Sequence, residues 1–370
     1  MRNKFFPALA VLVGTTIGAG FLGIPYVVAK SGFLPGLAYL IFVAVFMLFM
    51  KFYMGEVALR TKGNHQLTGY AGMYLGKWAK FLMFFSMIFG IYSALVAYLI
   101  AEGQSLSYIF SGTSTYSLLF SFLFWLIMSF LTYIGLKALK RYEQIGMILV
   151  LAIVSIIFIF FSPGIKLENL NYINPENIFM PFGVILFSLL AFSAMPEVER
   201  ILTGQEKLMK RVIFWGVMIP FAVYLVFMLV MVGNFGANIP EIATLALPKV
   251  FSILAVLTMF TAYFTQAIAI RDMFRFDYKL GRFLGWIIAS FLPLVLFILI
   301  YFLKLASFIL LLSIAGIVSA GIDGILILLM NKRAKINGNR KPEYSISLSW
   351  KTIIILSLIF ILAIIAEFLL

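Results

Sequence analysis

The chain has 370 residues, of which 64% are hydrophobic and only 11% charged, with a mean hydropathy of +1.10. A soluble domain carries about 25% charged residues, so a water-soluble globule is excluded. Cys is absent and His65 is the one histidine, which removes disulfides, thiolate nucleophiles and Cys/His metal sites together.

A helix crossing the hydrocarbon needs about 20 apolar residues. Runs of that kind fall near 5–28, 34–59, 79–108, 116–136, 142–162, 179–202, 211–233, 248–271, 283–303, 305–330 and 350–370, predicting an all-α membrane protein of eleven spans. The first run follows a short basic start, as a signal peptide does. It continues past any plausible cleavage site and is read as a retained span. Only Lys304 separates the ninth and tenth runs. One helix over 283–330 would be about 70 Å long, so a tight turn near Lys304 is expected.

Basic residues collect in cytoplasmic loops. With the N-terminus inside and the spans alternating, twenty-three of the 28 Lys and Arg residues fall in inner segments. They include Arg2 and Lys4, the group Arg60, Lys62, Lys77 and Lys80, the group Lys137, Lys140 and Arg141, and a last inner loop from Lys332 to Lys351. Outer segments hold Lys30, Lys166, Lys249 and Lys304, and Lys51 lies inside span 2. The C-terminus is then outside. The net charge of +14 is explained by anchoring against anionic membrane lipid, and no nucleic-acid partner is required.

Span 1 contains VGTTIGAGFLGIPY. Close helix packing of the small-xxx-small kind would ask for Gly14 and Gly18. Adding Gly20, Gly23 and Pro25 near mid-membrane weakens the helix itself and predicts an unwound stretch. Bare backbone survives at that depth only where it lines a cavity or is buried in protein. Span 6, with LLAFSAMPEVERIL, has the matching feature in Ser193, Ala194 and Pro196. The first and sixth spans are five apart, so the two sets of five run in opposite senses. Paired interruptions in inverted halves point to a transporter's binding site.

GTTIGAGFLGIPY resembles the first-helix motif of the amino acid/auxin permease and aromatic amino acid permease families of the amino acid–polyamine–organocation superfamily, which have the leucine-transporter (LeuT) fold. Looser likenesses are AYLIAEGQSL in span 3, LLAFSAMPEVER in span 6 and FTQAIAIRDM in span 8. The resemblance implies a 5+5 inverted repeat, residues 1–165 and 166–335, with 336–370 supplying an extra helix. It implies that backbone N–H groups around Thr16, Ile17, Gly18, Ala19 and Gly20 take the substrate carboxylate. Carbonyls there and at Ala191 to Ala194, Ser193 among them, take the ammonium. Phe187, Ser188 and Phe192 would wall the side-chain pocket and Tyr98 close over it. A sodium site would use the carbonyls of Gly14, Ile17 and Ala262 and the hydroxyl of Thr265, with Gln266 at the position of a second hydroxyl. Some proton-coupled relatives place a Lys of span 5 in that space; here span 5 has none. Na+ and H+ both stay open as coupling ion, and no other cofactor is implied.

Charged groups at membrane depth are functional candidates by default. Lys51 either snorkels to the inner interface, pairs with Glu197, or responds to protons itself. Asp323 either carries a coupling proton or pairs with a neighbouring Lys or Arg. Glu102, near the outer end of span 3, reads as a wetted carboxylate rather than a gate. Glu197 and Glu199 cap the inner half of span 6 or gate the cytoplasmic route, and His65 reads as a surface residue.

The expected function is therefore a secondary active transporter of a neutral amino acid, coupled to Na+ or H+. A transporter-like amino acid sensor is the alternative, and it would be expected to carry a longer soluble tail. An enzyme lacks a catalytic constellation, and no phosphate-binding GxxxxGKS loop is present. A channel does not ask for paired broken helices.

Overall fold

The computed structural model describes residues 3–135 and 140–369, with the side chains of 140–143 and 363–369 left undescribed. Arg2 and Lys137 lie outside the described residues, as do the side chains of Lys140 and Arg141. The fold is all helical: α1 (Phe5–Thr16), α2 (Ala19–Ser31), α3 (Phe33–Leu59), α4 (Leu67–Leu75), α5 (Lys77–Ser111), α6 (Ser117–Ile134) and α7 (Lys140–Phe161). Then follow α8 (Met180–Leu189), α9 (Met195–Leu202), α10 (Met209–Phe235), α11 (Ile253–Asp272), α12 (Arg282–Leu303), α13 (Phe308–Asn337) and α14 (Trp350–Leu369). Among the described residues nine segments are long and apolar enough to cross a membrane, and the α1–α2 pair makes a tenth. The eleventh expected run is α14. The short α4 between the second and third spans has no counterpart among the apolar runs.

Contacts sort the connections into two ends. At one end Lys4 donates to Thr203 and Gln205, Arg60 reaches Ser345, Arg340 reaches Glu206, and Gln66 reaches Asp277. Arg282 joins this end to the close of α6 by donating to the Tyr133 carbonyl. At the other end Gly32 bridges Ile173, Lys166 bonds Gly233, Tyr108 bonds Leu247, and Ile309 bonds Glu241. Successive connections alternate between the ends, as spans that each cross once require. The first is called the basic end here. The chain turns from α12 to α13 through Lys304, held in the left-handed region at φ 50°.

Polar docking fixes the basic end. Glu56, fully buried in α3, accepts from Arg60 (2.9 Å), Ser345 (2.7 Å), the Ile346 amide (3.0 Å) and Asn331 (3.2 Å). Tyr344 adds a bond to the Phe52 carbonyl at 2.8 Å. The segment between α13 and α14 is thereby tied onto α3. Glu56→Ala removes a buried acceptor shared by four donors, of which Asn331 is itself buried, and should cost roughly 3 kcal/mol. The check is a lower melting temperature in detergent and new proteolysis within 338–349. Lys335→Ala, which removes a 3.8 Å contact to Glu56 and a bond to the Ile346 carbonyl from a partly exposed position, should cost far less.

Candidate functional site: two broken spans around one cavity

The first break follows from local chemistry. Thr15 and Thr16 turn their hydroxyls back onto the Val11 and Leu12 carbonyls (2.8 and 2.7 Å), an arrangement that loosens a helix. The last helical amide, Ile17, bonds Val13, and the backbone then leaves the helix at Ile17 (φ −83°, ψ 84°) and Gly18 (φ −121°, ψ −146°). Helix α2 restarts at Ala19, bent by 46° from α1. Pro25 lies inside α2, well past the break.

Span 6 ends its first half at Leu189. Ala191 sits at φ 46°, ψ 29°, a left-handed conformation that costs an alanine about 1–2 kcal/mol. A single 3-10 turn over Phe192–Ala194 leads into α9, where Pro196 stands in the first turn and sacrifices no helical bond. Helix α2 packs on α8 and α1 on α9, so the two broken spans run antiparallel.

Both breaks open on one cavity. Its walls include Thr16, Gly18 and Gly20 from the first break and Phe187, Ala191, Phe192 and Ser193 from the second. Tyr98 and Ser86 of α5, Gln266 of α11, and Ser319 and Asp323 of α13 complete them. The space for water-sized centres is about 50 Å³, where one water needs roughly 10–15 Å³. A few waters fit, and an amino acid with a large side chain requires the walls to move apart. At the breaks the N-terminus of α2 offers unpaired amides and partial positive charge, while the C-termini of α1 and α8 offer partial negative charge. Opposite ends facing each other suit a zwitterion.

The structure gathers most of the expected substrate residues here. Ile17 and Ala19 are buried next to them. Ser188 stands one layer back: its hydroxyl bonds the Val184 carbonyl at 2.6 Å, and its carbonyl accepts from Tyr224. Tyr224 of α10 went unnoticed in the sequence. Its hydroxyl meets the Thr16 carbonyl at 2.7 Å and the Ser188 carbonyl at 2.9 Å, bridging the ends of α1 and α8. A tyrosine within an apolar run gives no sequence signal for such a role.

The expected ion-coupling residues separate. Gln266 takes a hydrogen bond from Ser193 at 3.2 Å and is hydrogen-bonded to Tyr98, so it stands in the cavity wall. On α11 the hydroxyl nearest the Gly14 carbonyl belongs to Thr261, at 3.5 Å. Thr265, one turn on, donates to the Thr261 carbonyl at 2.6 Å. Ala262 packs against Gly18. Lys51 does not snorkel: it is fully buried, and its ammonium lies 3.4 Å from the Thr16 hydroxyl, drawn to the carbonyl-rich end of α1. Glu197 pairs instead with Arg200 at 2.5 Å. Glu102 also departs from expectation, since it is buried and neither carboxylate oxygen has a hydrogen-bond partner among the described residues. The loop 236–252 folds back as short 3-10 turns in contact with α5 and covers that end, a tertiary effect that apolar runs do not reveal.

Below the cavity the basic end is closed by charge. Arg200 of α9 joins Glu197 to Asp272 of α11 (2.9 Å), and Arg271 binds both Asp272 (3.4 Å) and the Thr132 carbonyl of α6 (2.6 Å). Asp277 accepts from Thr68 (2.5 Å) and from the Gln66 and Gly69 amides, holding the start of α4; half-buried His65 lies 3.9 Å away.

Two antiparallel broken spans enclosing a polar cavity define a membrane permease of the LeuT-fold class. The same fold is seen in MhsT in complex with L-phenylalanine (TM-score 0.66, 18% identity, covering 100% of this chain and 98% of that one). It recurs in Mhp1, a nucleobase-cation-symport-1 family transporter (TM-score 0.62, 12% identity, 87% and 77%). The chain belongs to the tryptophan/tyrosine permease family, whose model matches residues 1–246. Glutamine transporter 2 of Aliivibrio fischeri is 23% identical over 247 residues, 64% of this chain, and the chain spans 63% of that protein's length. Tyrosine-specific transport system 2 of Haemophilus influenzae is 26% identical over 375 residues, 92% of this chain and 91% of that one.

Proposed function

We propose that the protein is a secondary active transporter of a neutral amino acid, coupled to Na+ or H+ and working by alternating access. The observation that carries this reading is the single cavity where both breaks present opposed helix ends. Among its wall residues none is basic and the one acidic side chain, Asp323, lies away from the breaks, which favours a substrate of zero net charge. Relatives named for glutamine and tyrosine, and a structural neighbour holding L-phenylalanine, agree with it.

On this reading the halves are residues 1–165 and 166–335, with 336–370 added, in the cell membrane. The basic end faces the cytoplasm, the N-terminus is inside and the C-terminus outside. Thr16 to Gly20 and Ala191 to Ser193 hold the carboxylate and ammonium, and Tyr98, Phe187 and Phe192 enclose the side chain. Sodium would occupy the carbonyls of Gly14, Ile17 and Ala262 with the hydroxyl of Thr265 or Thr261. Purified protein in liposomes should accumulate labelled glutamine, phenylalanine or tyrosine under an imposed sodium or pH gradient, run separately. Uptake equal to empty liposomes under both gradients for every neutral amino acid refutes the transporter reading.

A further inference from the structure

The part of the cavity nearest the basic end holds a group that the amino acid does not need. Asp323 sits in the middle of α13, buried, in the cavity wall, and one carboxylate oxygen has no hydrogen-bond partner among the described residues. Ser86 of α5 lies in hydrogen-bonding reach of the carboxyl. Ser86 and Ser319 bind each other's carbonyl across the α5–α13 seam, each at 3.4 Å. One turn along α5 from Ser86, Gly90 leaves the space: a Cβ there would collide with the Ser319 hydroxyl. Twelve residues of α5, about 18 Å, separate Ser86 from Tyr98, so the carboxyl lies toward the basic end from the breaks while sharing their cavity.

No neighbouring charge accounts for this carboxyl. Helix α13 packs on α2, α3, α4, α5, α8 and α14, and α2 brings Tyr26 and Lys30 in its last two turns. The ionisable side chains the others bring are chiefly Lys51 and Glu56 of α3, Tyr70 of α4, Tyr98 and Glu102 of α5, and Lys351 of α14; α8 brings none. Among the described residues no ion pair joins Asp323 to any of them. Lys51 is held at Thr16, Glu56 in its own network and Tyr98 at Gln266. An isolated carboxylate in such a setting is costly unless neutralised by a proton or a cation. A divalent metal ion such as calcium or magnesium wants six or more oxygens. Here a single carboxyl is joined by two hydroxyls already directed at carbonyls, and no cluster of three acidic or His side chains exists among the described residues.

We infer that Asp323, with Ser86 and Ser319, forms a proton-binding site in the cavity floor, loaded and unloaded as the cavity opens to either side and so tying proton movement to substrate movement. This rests on the transporter reading and adds the ion and the residue to it.

The test compares wild type, Asp323→Asn and Asp323→Glu in liposomes under a pH gradient without sodium, with a sodium gradient at equal pH as a separate arm. A gradient of one pH unit, acidic on the substrate side, supports about tenfold accumulation at one proton per substrate. Wild type and D323E should approach that ratio, whereas D323N should equilibrate substrate only, with a ratio near one and uptake flat against pH. A substrate-induced thermal shift in D323N shows that the variant is folded and binds. D323N accumulating substrate like wild type, or wild type accumulating only on a sodium gradient, overturns the proton site while leaving the transporter intact. Wild type moving nothing under any gradient removes the transporter reading and this inference with it.

Discussion

Gly18→Val will abolish uptake and lower substrate affinity by at least about a hundredfold, while the protein still folds. A Cβ at Gly18 would lie 2.7 Å from the Tyr98 hydroxyl and 2.8 Å from the Ala262 Cβ, so even the first added carbon must push α5 or α11 away. Those neighbours are not idle: Tyr98 is hydrogen-bonded to Gln266, and Gln266 to Ser193 at the other break. Displacing Tyr98 therefore disturbs both broken spans. The branched methyls would also fill the space beside the free amides of α2, where a carboxylate has to approach. Overpacking of this kind costs about 1–3 kcal/mol of stability, which a bundle this extensively buried tolerates. Binding measured by thermal shift, uptake in liposomes, and an unchanged elution profile together separate the effect from misfolding. A Gly18→Val protein that transports at half the wild-type rate or better would place the substrate elsewhere.

What the sequence discloses here depends on whether the signal is local. Hydrophobic runs and the alternation of Lys and Arg are properties of contiguous segments, and they locate ten spans and the turn at Lys304 without reference to packing. The first break is also local, signalled by the glycines around Gly18, although Pro25, read with them, falls inside α2. The second is half hidden, because Pro196 marks the start of α9 while the left-handed residue is an alanine that nothing in composition singles out. Side-chain partners across helices are another matter. Tyr224 reaches two carbonyls from a third span, and Thr261 rather than Thr265 meets Gly14 because the rotation of α11 is set by its neighbours. Lys51 and Glu102 were placed by their depth along a span, yet Lys51 is drawn to the end of α1 and Glu102 is buried by tertiary packing. Asp323 was visible as a charge in an apolar run; that it faces the same cavity as Gly18 is a fact of tertiary packing.

Arg200→Gln will shift the protein toward an arrangement open at the basic end. In the closed state Arg200 lies between two carboxylates with little solvent exposure, 2.5 Å from Glu197 and 2.9 Å from Asp272, bracing α9 against α11. Removing one partner of a buried ionic cluster costs about 3–5 kcal/mol, because the remaining charges keep their desolvation penalty. That penalty belongs to the closed state alone, since separating α9 from α11 admits water to Glu197 and Asp272. A bias of about 3 kcal/mol is more than a hundredfold in population. Arg271, bound to Asp272 and to the Thr132 carbonyl, offsets part of it, so the expected shift is nearer tenfold to a hundredfold. The natural chain contains no Cys, so Ser193→Cys in the cavity wall gives a single reporter. Its reaction with a membrane-impermeant maleimide added on the basic side should speed up by at least about tenfold when Arg200→Gln is introduced. Uptake should fall, because a carrier held open on one side completes few cycles. Equal labelling rates with and without Arg200 would mean that this cluster braces the fold and does not form the gate.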